Sequence, residues 1–60
     1  MKFEGRAMTK EMRAFAVKKA PEGTVLIVRG FMEWHNSQGW TGCLRFVDAN
    51  DNILKEMPYR

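Results

Sequence analysis

Pro21 divides this chain into two stretches with different periodicities. Proline has no amide proton, fixes its own φ and biases the residue before it away from helical geometry. A helix arriving from the N-terminal side therefore has to stop at Ala20. Upstream, in MTKEMRAFAVKKA, residues Met8, Met12, Phe15, Ala16 and Lys19 recur at spacings of three and four and predict one helical face over about residues 9–20. Thr9 is the expected N-cap, because its hydroxyl can accept from a first-turn amide. Glu11 then lies where the helix dipole favours an anion, and Lys18 and Lys19 lie where it favours cations.

Downstream of Pro21 the pattern changes. After a PEG turn, the segments TVLIVRGFMEWH, WTGCLRFVD and NILKEMPY are rich in β-branched and aromatic residues and predict strands over about 24–35, 40–48 and 52–58. NSQG and DAND join them, each with turn-forming residues at the required offsets. Pro58 suits a strand end or a sheet edge. The expected architecture is α+β: one N-terminal helix packed on a three-stranded antiparallel meander, with KFEGR available as a short extra N-terminal strand.

In the first of these strands the even positions Leu26, Val28, Gly30, Met32 and Trp34 are apolar, so this face is expected to meet the helix. Pairing Asn36 with Trp40 places Met32 opposite Leu44 and Phe31 opposite Arg45. Pairing Asp48 with Asn52 places Val47 opposite Ile53 and Phe46 opposite Leu54. The same register sets Lys55 against Arg45, an unfavourable like-charge pair that invites a slip there. Gly30 is a second point of ambiguity, since a bulge there would exchange the faces beyond it.

The stabilising devices open to the chain are few. At 60 residues, the sequence forms one domain with a small core, worth only about 3–5 kcal/mol of net stability. Its single cysteine cannot form an internal disulfide, and one Cys with one His cannot complete a structural zinc site. Of the usual reinforcements, association with a partner is left. One cysteine also fits a reducing compartment, no apolar run reaches membrane-spanning length, and MKFEGR lacks the apolar stretch of a signal peptide. The chain is therefore expected to be complete and cytoplasmic. A domain of this size fits the accessory proteins that phages and mobile elements encode.

Three functional constellations compete. The first is the odd-numbered face, which is half apolar where a solvated face should be polar. Val25, Ile27, Arg29, Phe31, Arg45, Val47 and Ile53 on it are the expected protein-binding residues, for a homodimer or for an inhibitor or adaptor acting on another protein. The alternative occupant of that face is the chain's own N-terminal segment, with Phe3 covering it.

The second constellation is the basic first third. Of the net charge of +3, residues 1–20 carry +4 and residues 21–60 carry −1. Lys2, Arg6, Lys10, Arg13 and Lys18 lie off the apolar stripe, and would contact nucleic-acid phosphates.

The third is the stretch FMEWHNSQGWTGCLRF, which gathers both tryptophans, the only histidine and the only cysteine. Trp34 and Trp40 are expected to close the sheet over the helix rather than form a base-stacking platform. Glu33, His35 and Cys43 share the other face, but a flat sheet offers them no cleft and no oxyanion donors. No catalytic residue, metal, cofactor, small-molecule substrate or membrane partner is expected.

Overall fold

The computed structural model describes residues 1–31 and 42–59. In chain order the elements are β1 (Lys2–Gly5), α1 (Lys10–Lys19), β2 (Leu26–Phe31), β3 (Gly42–Val47) and β4 (Ile53–Tyr59). They form one helix and a four-stranded sheet in the order β1-β2-β3-β4. The fold is α+β, and the meander β2-β3-β4 is antiparallel. The N-terminal segment does supply an extra strand. β1 runs parallel to β2, so the sheet is mixed, and α1 is the crossover that a parallel pair requires.

The helix starts and stops where its local chemistry dictates. Thr9 is extended (φ −71°, ψ 167°), and its Oγ1 accepts from the Met12 amide at 3.2 Å while the Thr9 amide donates to Met12 Sδ at 3.4 Å. Ala20, the residue before Pro21, is extended at φ −66° and ψ 130°. Its amide still donates to the Val17 carbonyl at 3.2 Å. The turn that follows is held by Thr24, whose hydroxyl and amide both donate to the Pro21 carbonyl, at 2.8 and 3.3 Å.

The face that β2 turns to the helix is the reverse of the expected one. Ile27 is fully buried in the core with Met8, Ala16, Leu44 and Phe46, and Phe3, Met12, Ala20, Met57 and Tyr59 pack around them. In the β2-β3 register Arg29 opposes Leu44 and Ile27 opposes Phe46. The expected register set Met32 against Leu44. The two differ by three residues, and an odd offset turns a strand over relative to its neighbour.

The N-terminal strand supplies the physical reason. Phe3 pairs with Ile27, which pairs with Phe46, so one apolar row crosses three strands beneath the helix. Gly30 is not a bulge, since pairing runs without interruption from Leu26 to Phe31. The NSQG turn, Met32, Glu33, Trp34, His35 and Trp40 lie outside the described residues, as do the outer parts of the first two expected meander strands.

The slip expected near Arg45 is real. Val47 opposes Ile53 as the DAND turn dictates, but beyond it a β-bulge absorbs Leu54, and Phe46 opposes Lys55. Arg45 thereby faces Glu56 in place of Lys55, and its Nε lies 2.5 Å from Glu56 Oε2. One extra residue converts a like-charge pair into an ion pair. The turn before it is built on Asp48, whose Oδ1 accepts from the amides of Asn50 and Asn52 at 2.8 and 2.9 Å. Asp51 takes the left-handed conformation (φ 64°) that this turn needs.

Two measurements check these backbone assignments. Gly5 has φ 86° and lies so close to the Arg29 carbonyl that a methyl group there would collide with backbone. Gly23 has φ 93° with only Leu54 Cδ1 nearby, 3.9 Å from the position a Cβ would take. In urea denaturation, Gly5→Ala is expected to cost about 2–5 kcal/mol and Gly23→Ala about 1–2 kcal/mol. The second measurement is an acid titration. The Asn52 amide, helped by the Asn50 amide and the Asn52 side chain and opposed by partial desolvation, holds the Asp48 carboxyl below its ordinary value near 3.8. A depressed carboxyl stabilises the fold fully above that ordinary value, and the contribution disappears as pH falls through the lower, folded-state value. The wild type is therefore expected to lose stability in that acid window more steeply than Asp48→Ala.

Candidate nucleic-acid interface

The two sides of the sheet differ in how their charges are satisfied. On the side away from the helix, three cross-strand rows can be read from the register: Lys2–Leu26–Val47–Ile53, Glu4–Val28–Arg45–Glu56 and Gly30–Cys43–Pro58. Acid and base alternate here, and Arg45 is paired with Glu56. Gly30 leaves room for the Arg45 side chain, since a Cβ there would sit 2.9 Å from Arg45 Nη1.

On the helix side the cations meet rings instead of carboxylates. The Arg6 guanidinium lies 4.4 Å from the Phe31 ring centroid and that of Arg13 lies 5.3 Å from Phe3. Lys19 Nζ is 5.7 Å from Phe15, and the Arg29 guanidinium is 5.9 Å from Tyr59. Phe15 and Tyr59 contact each other at 5.5 Å with their planes 40° apart. Lys10 and Lys18 are exposed on the helix. Among the described residues the Arg45–Glu56 bridge is the one ion pair, so none of these six cations is neutralised by a carboxylate. Glu11 is the one acid on α1.

Arg29 is the least ordinary of them. It projects beneath the start of the helix, where Nη1 donates to the Ala7 carbonyl at 2.5 Å and approaches Met12 Sδ at 3.8 Å. Its Nε is buried with no partner. The guanidinium thus holds the segment between β1 and α1 down on the sheet, at the cost of a desolvated donor.

The residues expected to bind a protein do not form one surface. Ile27 is 0% exposed in the core, and Arg29 points under the helix. Phe31 projects from that same side, by alternation, and stacks on Arg6 in place of Arg45. Val25 is exposed at the entry to β2, where its amide donates to the Val47 carbonyl. Arg45, Val47 and Ile53 lie on the opposite side, where Val47 is only 8% exposed. The cause is the reversal of β2, which carries Val25, Ile27, Arg29 and Phe31 away from Arg45, Val47 and Ile53.

Of the phosphate-binding candidates, Arg6, Lys10, Arg13 and Lys18 share the helix side, while Lys2 falls on the other face beside Leu26. Lys19 and Arg29 join the basic side unforeseen. Lys19 falls on the predicted apolar stripe, and Arg29 belongs to the odd-numbered face that the sequence pattern turns away from the helix. Cys43 is 1% exposed, and its thiol approaches the Phe31 carbonyl at 3.7 Å. Among the described residues no three His, Cys, Asp or Glu side chains cluster to hold a metal, and no helix is long and apolar enough to cross a membrane.

The role of Arg29 can be separated into stem and head group by substitution. Arg29→Met keeps the apolar stem and removes the orphaned donor together with the bond to the Ala7 carbonyl, so its urea midpoint is expected to fall less than that of Arg29→Ala. Arg29→Ala removes the stem as well and is expected to lose about 1–3 kcal/mol. No family model, no curated protein and no solved structure matches this chain, so the functional reading stands on its geometry and charge.

Proposed function

We propose that this chain is a small non-enzymatic module that binds nucleic acid through its helix side, with Arg6, Lys10, Arg13 and Lys18 on the phosphates. The observation that supports this most is the separation of charge. Among the described residues the cations of the helix side lack carboxylate partners, whereas the cation at the centre of the opposite face has one. An unneutralised basic surface attracts a polyanion by releasing its condensed counterions. Contacts of this kind position the protein on the phosphate backbone and carry little sequence information.

A second reading, a protein-binding module or homodimer, draws on the opposite face. Ile53 is 58% exposed there and Leu54, beside it in the bulge, is 41% exposed. Among the described residues this apolar surface is small, because Leu26 and Val28 are half-buried and Cys43 and Val47 are almost wholly withdrawn from solvent. It is the lesser reading for that reason.

Amide NMR titration distinguishes the two. With a short mixed-sequence DNA, single- or double-stranded, shifts are expected at residues 6–19 and are independent of sequence. With at most about five phosphate contacts, affinity should fall roughly 10- to 1000-fold between 50 and 200 mM salt. The double variant Lys10→Glu, Arg13→Glu is expected to abolish binding while keeping the helix. No shift at 50 mM salt would end the proposal. Shifts at Ile53 and Leu54 that grow with protein concentration would put self-association in its place.

A further inference from the structure

We infer that this surface prefers a single-stranded polynucleotide to a duplex, with one base stacked on Phe31 and its flanking phosphates held by Arg6 and Arg13. The inference rests on the proposed nucleic-acid reading and narrows it to a class of ligand.

Phe31 is the most exposed large apolar side chain among the described residues, at 61%. A lone exposed phenylalanine would signify little, but the surroundings of this one are particular. It closes β2 at the last pair of the β2-β3 ladder, two residues beyond Arg29, where pairing with β1 ends. Its cross-strand partner is Gly42, which has no side chain to lie against the ring. Gly42 is itself required by packing, because a Cβ there would sit 2.6 Å from the Tyr59 carbonyl oxygen. On one side the ring carries the Arg6 guanidinium, 4.4 Å from its centroid. Arg6 is held in turn by its amide, which donates to the Arg29 carbonyl at 2.9 Å.

A phenyl ring has two faces. With one on the guanidinium and no side chain at Gly42 to lie against the ring, the exposed remainder of Phe31 offers a platform for a flat, apolar group carrying negative charge nearby. A nucleobase with its phosphates has that chemistry. The other partly exposed rings do not serve in the same way. Phe3 and Tyr59 belong to the margin of the core, and Phe15 is committed to Tyr59 and Lys19. In a duplex the bases are stacked on one another and their faces are closed to a side chain. Only an unpaired strand can bring both a base to Phe31 and its phosphates to Arg6 and Arg13.

The experiment is fluorescence anisotropy at 50 mM salt with three labelled probes: a 15-nucleotide single-stranded DNA, the duplex of the same sequence, and heparin as a polyanion without bases. Phe31→Ala is expected to weaken single-strand binding roughly 5- to 100-fold and to leave duplex and heparin binding unchanged. Phe31→Trp should retain or raise single-strand affinity. Because Phe31 is exposed, the variants should share the wild-type urea midpoint to within the effect of losing one stacked cation, which separates lost binding from lost folding. If the wild type binds all three probes with the expected salt dependence and Phe31→Ala changes none of them, the base platform is overturned and phosphate binding stands. Loss of all three probes in a folded Phe31→Ala also overturns it, because the ring would then act by positioning Arg6. If the wild type binds no probe, the nucleic-acid reading itself falls.

Discussion

The orientation of β2 is the constraint on which the rest of the molecule depends. A strand has two faces, and whichever one meets the helix decides both the core and the surface. Here the choice is made by a neighbour in the sheet as much as by β2 itself. Phe3 on β1 and Phe46 on β3 flank Ile27, and the three form a continuous apolar row beneath α1. Once Ile27 is inward, Arg29 has to be inward as well, two residues on. Its guanidinium finds the Ala7 carbonyl and so ties down the segment leading into the helix. The core is therefore sealed at one end by a charged residue, an arrangement that a purely hydrophobic account of the strand would not produce.

The same orientation sets the electrostatic character of each side. On the side away from the helix a bulge brings Glu56 to Arg45, and charges alternate across the strands. On the helix side no ion pair forms among the described residues, and four cations lie over aromatic rings. A ring attracts a cation through its quadrupole without neutralising it. Side chains held in this way lose part of their conformational freedom while keeping their charge available to a ligand. That is a form of preorganisation which an ion pair cannot give.

How much of this was legible in the sequence depended on the range of the interactions involved. The helix was legible because Thr9 and Pro21 act on residues within one turn of themselves. The Asp48 turn was legible for the same reason. The like-charge conflict at Arg45 and Lys55 pointed to an irregularity, and the bulge at Leu54 resolves it. The face of β2 was not legible. Its even positions form the longer apolar series, and the competing choice depends on a four-residue strand more than twenty residues away, too short to carry a pattern of its own. Since the face was misjudged, the expected protein-binding set was divided between two sides of the sheet. Lys10, Arg13 and Lys18 lie on the helix as expected, because helical position depends on local geometry alone, whereas Lys2, on β1, falls on the other face.

The irregular end of β4 bears on how the molecule behaves at high concentration. β4 is an outer strand, and a straight outer strand offers its free amides and carbonyls to any other sheet. Here the extra residue at Leu54 bends one end of the strand, and Pro58 removes an amide near the other. What lies between is too short and too uneven to template a second sheet. The adjustment that lets Arg45 reach Glu56 thus also interrupts the free edge that β4 would offer to another sheet.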